Sequence, residues 1–142
     1  QGQGVGQIAV WRAEFEKLGI TGWSEQMMAH RFSKGQGEAD ALTWFAAEQV
    51  KSKSHIVIGL GEMLAAADLT SDLGRLSVPL LIIGPDSSPF IAPSYFARLK
   101  EMIPSSELLI VPGTKHGLPF SHARQLSKHL AKFIDGRVEQ AS

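Results

Sequence analysis

The sequence predicts an α/β chain: a helical region, then two parallel strands with flanking helices. Three observations predict it. Apolar residues recur at helical spacing through the first 67 positions. A short continuous apolar run, Val78-Pro79-Leu80-Leu81-Ile82-Ile83-Gly84, has the pattern of a strand buried on both faces, and Glu107 to Val111 reads as a second buried strand. Each run leads into a helical pattern, so the second half reads as a parallel βαβα unit with a right-handed crossover.

In chain order, residues 1–9 read as a flexible lead-in, because Gln1 to Gln7 hold three glycines and three glutamines around one valine. Trp11, Phe15 and Leu18 fall at i, i+4 and i+7, and Gly19 is expected to stop that helix. Thr21 or Ser24 caps the next, in which Trp23, Met27, Met28, Arg31 and Phe32 give one apolar side. Ser33 to Gly37 is a turn, and a third helix runs from about Glu38 through Leu42, Trp44, Phe45 and Val50. Ile56, Val57 and Ile58 suit a strand, yet Ile56, Leu60, Met63 and Leu64 keep helical spacing. Helix is the reading preferred for His55 to Ala67, with a buried strand as the alternative. Pro93 and Ser94 open a helix carrying Phe96, Leu99, Met102 and Ile103. The last helix begins near Ser121, presents Leu126, Leu130, Phe133 and Ile134, and stops at Gly136. The division expected is a lead-in over 1–9, a helical region over 10–67, and a βαβα part over 68–142.

Composition narrows the function classes. Fourteen basic residues balance fourteen acidic ones, which leaves no electrostatic footprint for nucleic acid or an anionic membrane surface. The absence of cysteine excludes disulfides, thiolate catalysis and cysteine-ligated zinc. No apolar run approaches the ~18–20 residues that span a bilayer. Neither a metal nor a cofactor is expected, since His30, His55, His122 and His129 form no ligand spacing with carboxylates and read as helix-surface residues. The glycines at 2, 4 and 6 follow no strand and make no phosphate loop.

Chemistry in parallel sheets gathers beyond the carboxyl ends of strands. The first strand is followed by Gly84-Pro85-Asp86-Ser87-Ser88-Pro89 and the second by Pro112-Gly113-Thr114-Lys115-His116-Gly117. Neighbouring parallel strands lie about 4.8 Å apart, so Asp86 and His116 are expected to meet as an acid–imidazole pair. They are the candidate catalytic residues. Ser87 and Ser88 read as turn residues.

These segments, with Asp68-Leu69-Thr70 ahead of them, resemble the α/β-hydrolase superfamily, above all its small lactonase- and esterase-like members related to 3-oxoadipate enol-lactonase. The region with Trp11, Arg12, Gly22, Arg31-Phe32 and Trp44-Phe45 resembles that family's helical cap. The resemblance implies the C-terminal part of an α/β-hydrolase fold preceded by a cap, acting on carboxylic esters or lactones, with His116 as general base. In the family the acid lies at Gly-x-x-Asp; counted from Gly84 that position is Ser87, with Asp86 one residue early, and some members take the acid from an earlier strand. The family's nucleophile sits in Gly-x-Ser-x-Gly, which this sequence lacks; Gly59-Leu60-Gly61 has leucine between its glycines. The chain begins at Gln1, and the nucleophile half is expected upstream, so the chain alone is expected to be inactive. A small-molecule ester or lactone is the expected ligand once that half is supplied, and a second copy or a complementary chain is expected along the bare strand edge. The alternative function is a non-catalytic fragment that self-associates or binds a partner. With no targeting segment visible, the default location is cytoplasmic.

Overall fold

The computed structural model describes residues 3–140, with side-chain surroundings for 7–136. The chain divides into two units, residues 1–29 with 39–72 and residues 30–38 with 73–142. The segment 30–38 thus groups with the strands, although its sequence continues the helical region.

The first unit is helical. Helix α1 spans Gln3–Arg31, α2 spans Ala39–Gln49 and α3 spans Ser54–Ala66, followed by a 3-10 turn over Thr70–Arg75 at the unit boundary. Of the expected lead-in, Gln1 and Gly2 lie outside the described residues, and the backbone is helical from Gln3. Ile8, on the first turns of α1, is buried, so the helix has an apolar anchor that the glycine-rich composition conceals. Gly19 kinks α1 rather than ending it: its backbone turns to φ 64°, a conformation open to glycine, and the chain re-enters a helix. No separate cap is then needed. Ser24 is buried and receives the Gln49 side-chain amide instead, at 2.7 Å on Oγ and 3.2 Å on its carbonyl.

The core of this unit is aromatic. Trp23 and Trp11 pack edge-to-face with centroids 5.7 Å apart, Trp23 packs on Phe15 at 4.8 Å, and Met27 is fully buried. Helix α3 approaches through Gly61, where a side chain would collide with Ile8 and Trp11, and Arg12 pairs with Glu62 beside it. Ile56, Leu60, Met63 and Leu64, the residues whose spacing predicted this helix, are 50–69% exposed. Spacing identifies an apolar stripe but not what covers it.

The second unit holds a two-stranded parallel sheet. Strand β1, Leu81–Pro85, pairs with β2, Glu107–Val111, so that Leu81 faces Glu107 and Pro85 faces Val111. The strand begins three residues later than the apolar run, because Pro79 has no N–H for a ladder. Pairing starts at Leu80, whose carbonyl accepts from Glu107 N at 2.8 Å. Helix α4, Pro93–Met102, packs on both strands, with Phe96 seated over Gly84, where a Cβ would lie 2.6 Å from the ring. Ser106 closes the return by donating from Oγ to the Ile103 carbonyl at 2.7 Å. Burial on both faces holds only in part: Ile82, Gly84 and Pro85 are buried in β1, but only Val111 in β2. Two strands and the described helices do not enclose both faces of the sheet.

The chain then forms a short helix α5, Leu118–Ser121, and a long α6, Ala123–Gln140. Gly136 lies inside α6 and does not stop it; an internal glycine costs about 1 kcal/mol relative to alanine, which a helix of 18 residues tolerates. An open groove of about 300 Å³ between the strands and α6, lined by Leu81, Leu109, His129 and Phe133, lies at the amino end of the sheet, away from His116.

Candidate active site

The site is built where both strands end. After Pro85 the chain turns through Asp86-Ser87-Ser88; after Val111 it turns at Gly113, which takes φ 71°, and rises through Thr114 to His116. Backbone and carboxylate bonds stitch the two turns. Ser87 N donates to the Thr114 carbonyl at 3.0 Å. The Asp86 carboxylate accepts from Gly113 N at 3.0 Å, Thr114 N at 3.2 Å and the Ser87 hydroxyl at 2.8 Å. Those bonds, the one from Gly113 foremost, hold the Asp86 carboxyl below the usual carboxylate range. Beneath them Thr114 is fully buried and donates from Oγ1 to the Val111 carbonyl at 2.7 Å.

Segment 30–38 braces the same loop. Gly117 N donates to the Arg31 carbonyl at 2.8 Å, Gln36 Nε2 donates to the Gly113 carbonyl at 3.1 Å, and Gly117 lies against the Phe32 ring. His116 is therefore carried on a loop held both by the turn after β1 and by segment 30–38.

His116 is exposed, with two side chains beside its ring. Phe90 stands edge-on to it at 5.1 Å and meets His30 on the other side at 5.9 Å. His116 Nδ1 lies 3.4 Å from Ser88 Oγ. Partial burial, then the positive charge of Arg31, lower the histidine pKa and favour the neutral ring.

Asp86 and His116 are thus brought to neighbouring turns, but they share no hydrogen bond or ion pair; the carboxylate oxygens are taken up by the histidine loop's backbone. The group on Nδ1 is Ser88, which sequence reasoning assigned to a turn. It does make that turn, accepting from Phe90 N at 3.2 Å and Ile91 N at 3.4 Å, and it touches the ring as well. Its position four residues after Gly84 was visible in the sequence; its direction was not. His122 is half-buried and bonded to Ser121 Oγ at 2.8 Å, apart from this site. Among the described residues no group of three or more histidines and carboxylates is placed to hold a metal. No helix among them is long and apolar enough to cross a membrane.

A parallel sheet with an acid turn and a histidine turn side by side, flanked by helices, is the C-terminal part of an α/β-hydrolase fold, and that is the class to which this architecture belongs. The particular likenesses agree. The chain superposes on a bromoperoxidase from Bacillus anthracis with TM-score 0.77 at 19% identity, covering 90% of this chain and 48% of that one. It superposes on an esterase from Exiguobacterium antarcticum with TM-score 0.78 at 17% identity, covering 91% and 47%. In sequence it is 38% identical over 68 residues to a putative non-heme chloroperoxidase of Synechocystis, which is 47% of this chain and 25% of that protein. No family model matches. The chain spans about half the length of these solved structures and a quarter of the curated relative.

Proposed function

We propose that this chain is the helical cap and C-terminal portion of a serine-type α/β-hydrolase acting on carboxylic esters or lactones, with His116 as its general base. The observation that carries the reading is the placement of His116 on a braced loop at the carboxyl end of β2, on a fold shared with esterases. In the complete enzyme a serine on a Gly-x-Ser-x-Gly elbow attacks the acyl carbon. His116 Nε2 takes the serine proton and returns it to the leaving alkoxide, and a second cycle with water releases the acid. The lowered pKa suits this role, since the neutral ring is the form that accepts a proton. Asp86 acts through the backbone, fastening Gly113 and Thr114 so that the histidine stays in place.

The test is turnover of p-nitrophenyl acetate and butyrate by the polypeptide that includes the nucleophile elbow, with and without His116→Ala. Loss of a triad member is expected to lower kcat by about 10³-fold or more. Activity indifferent to His116 would refute the reading. The chain alone is expected to be inactive, lacking both nucleophile and oxyanion donors.

A second reading is favoured by the exposed stripe Ile56, Leu60, Met63 and Leu64 on α3: the isolated chain self-associates through this face. Sedimentation of the chain and of Leu60→Glu/Leu64→Glu separates the two. A dimer that the double substitution dissolves supports it, and a monomer at all concentrations overturns it.

A further inference from the structure

The hydrogen-bond inventory of Ser88 decides how His116 is protonated. A hydroxyl offers one proton and two lone pairs. Phe90 N and Ile91 N, which can only donate, both point at Ser88 Oγ, at 3.2 and 3.4 Å. What remains for the ring is the hydroxyl proton. The ring atom on that side is Nδ1, at 3.4 Å, and it accepts a proton only when it carries none itself. The Phe90 ring lies beside the imidazole at 5.1 Å, with its plane nearly perpendicular to it.

We propose that Ser88 is a positioning residue for His116, and that its hydroxyl, donating to Nδ1, keeps the neutral imidazole protonated at Nε2. The opposite tautomer would aim an N–H at an oxygen already accepting two others. The charged and titratable groups around the ring do not supply an alternative partner on Nδ1. Arg31 repels a positive ring, Asp86 is bonded to Gly113 and Thr114, Lys115 precedes the histidine in the loop, and His30 stands across Phe90.

The consequence rests on the reading of His116 as general base. A ring protonated at Nε2 presents a donor where a serine proton has to be accepted. Before it can act, Ser88 Oγ has to release one of the two amides so that it can accept from Nδ1, and the ring has to exchange tautomer. Where a carboxylate on Nδ1 would hold the ring ready, Ser88 holds it in reserve.

The tautomer is read directly from long-range ¹H–¹⁵N correlations of the ¹⁵N-labelled chain, with the His116 signals assigned by His116→Gln. The wild-type ring is expected in the Nε2–H form. Ser88→Ala should lose roughly two- to tenfold of that bias, the range for one hydrogen bond of ordinary net strength. Ser88→Thr should restore it. Ser88→Asp, which can only accept once ionised, should reverse it to Nδ1–H. Threonine and aspartate both keep an acceptor for the Phe90 and Ile91 amides, so a purely structural Ser88 would give the same tautomer in both. An Nδ1–H wild type, or an aspartate variant that stays Nε2–H, overturns the proposal. The ester assay is independent: failure there with the tautomer series intact removes the catalytic reading and leaves the Ser88 assignment standing.

Discussion

Replacing Thr114 by valine tests whether one buried hydroxyl underpins the loop that carries His116. Thr114 is 0% exposed, and its Oγ1 donates to the carbonyl of Val111, which is itself 1% exposed. Valine matches threonine closely in shape, so no cavity opens and the loss is polar. A buried acceptor stripped of its donor costs about 1–3 kcal/mol. Thr114→Ser keeps the hydroxyl and deletes one methyl, costing about 0.8 kcal/mol by transfer. The valine cost corresponds to a fall in Tm of about 2–4 °C per kcal/mol for a chain of this size. Because the chain comprises two units, the assay should report on the second one alone: urea titration followed through the Gly113 and Thr114 amide resonances. The expected result is an earlier transition in the valine variant, with both amide signals shifted because Asp86 no longer meets them in register. A valine variant within about 0.5 kcal/mol of wild type, with those signals unmoved, would refute the claim that the hydroxyl supports the loop.

Three further outcomes follow from the same geometry. Asp86 has a lowered pKa, so its bonds stabilise the fold above its unfolded value of about 3.9 and are lost as pH falls through the folded one. Thermal melts from pH 6 to pH 2 should show a slope that Asp86→Asn reduces, the lowered Asp68 carboxyl supplying part of the remainder. His116 is also lowered, so the unfolded chain binds its proton first, and stability falls as pH drops from about 6.5 toward the folded pKa. Melts of His116→Gln should be flatter across that window, and an equal slope would contradict the shift. Gly117→Ala would drive a Cβ into the buried Phe32 ring, an overpacking cost of about 1–3 kcal/mol, measurable by urea unfolding.

The elements themselves were legible along the chain because their causes are local. The apolar run ending at Val111 makes β2 with the bounds its composition suggests, and Pro93 opens α4 where its fixed φ suits a first turn. The preference for helix over strand at Ile56–Ile58 followed from spacing, and α3 is a helix. Boundaries set by glycine were read less well. Gly19 and Gly136 both stand where a helix stop is expected, yet one is a kink and the other a helical residue, since glycine permits an ending without requiring it.

Sequence by itself determined that an acid turn and a histidine turn follow two parallel strands, because strand order and turn chemistry are written in consecutive residues. Only the tertiary structure decided what those side chains touch. Ser88 and His116 are 28 positions apart, and nothing local distinguishes a serine that closes a turn from one that also meets a ring. Asp86 turned to the backbone amides of Gly113 and Thr114 because two fixed N–H groups lie in reach of its short side chain, an arrangement that exists only once the strands are paired. The stripe on α3 was equally visible as a pattern, but its exposure depends on Gly61 admitting Ile8 and Trp11 on the opposite side. Periodicity records which residues share a face; packing through space decides which face is covered.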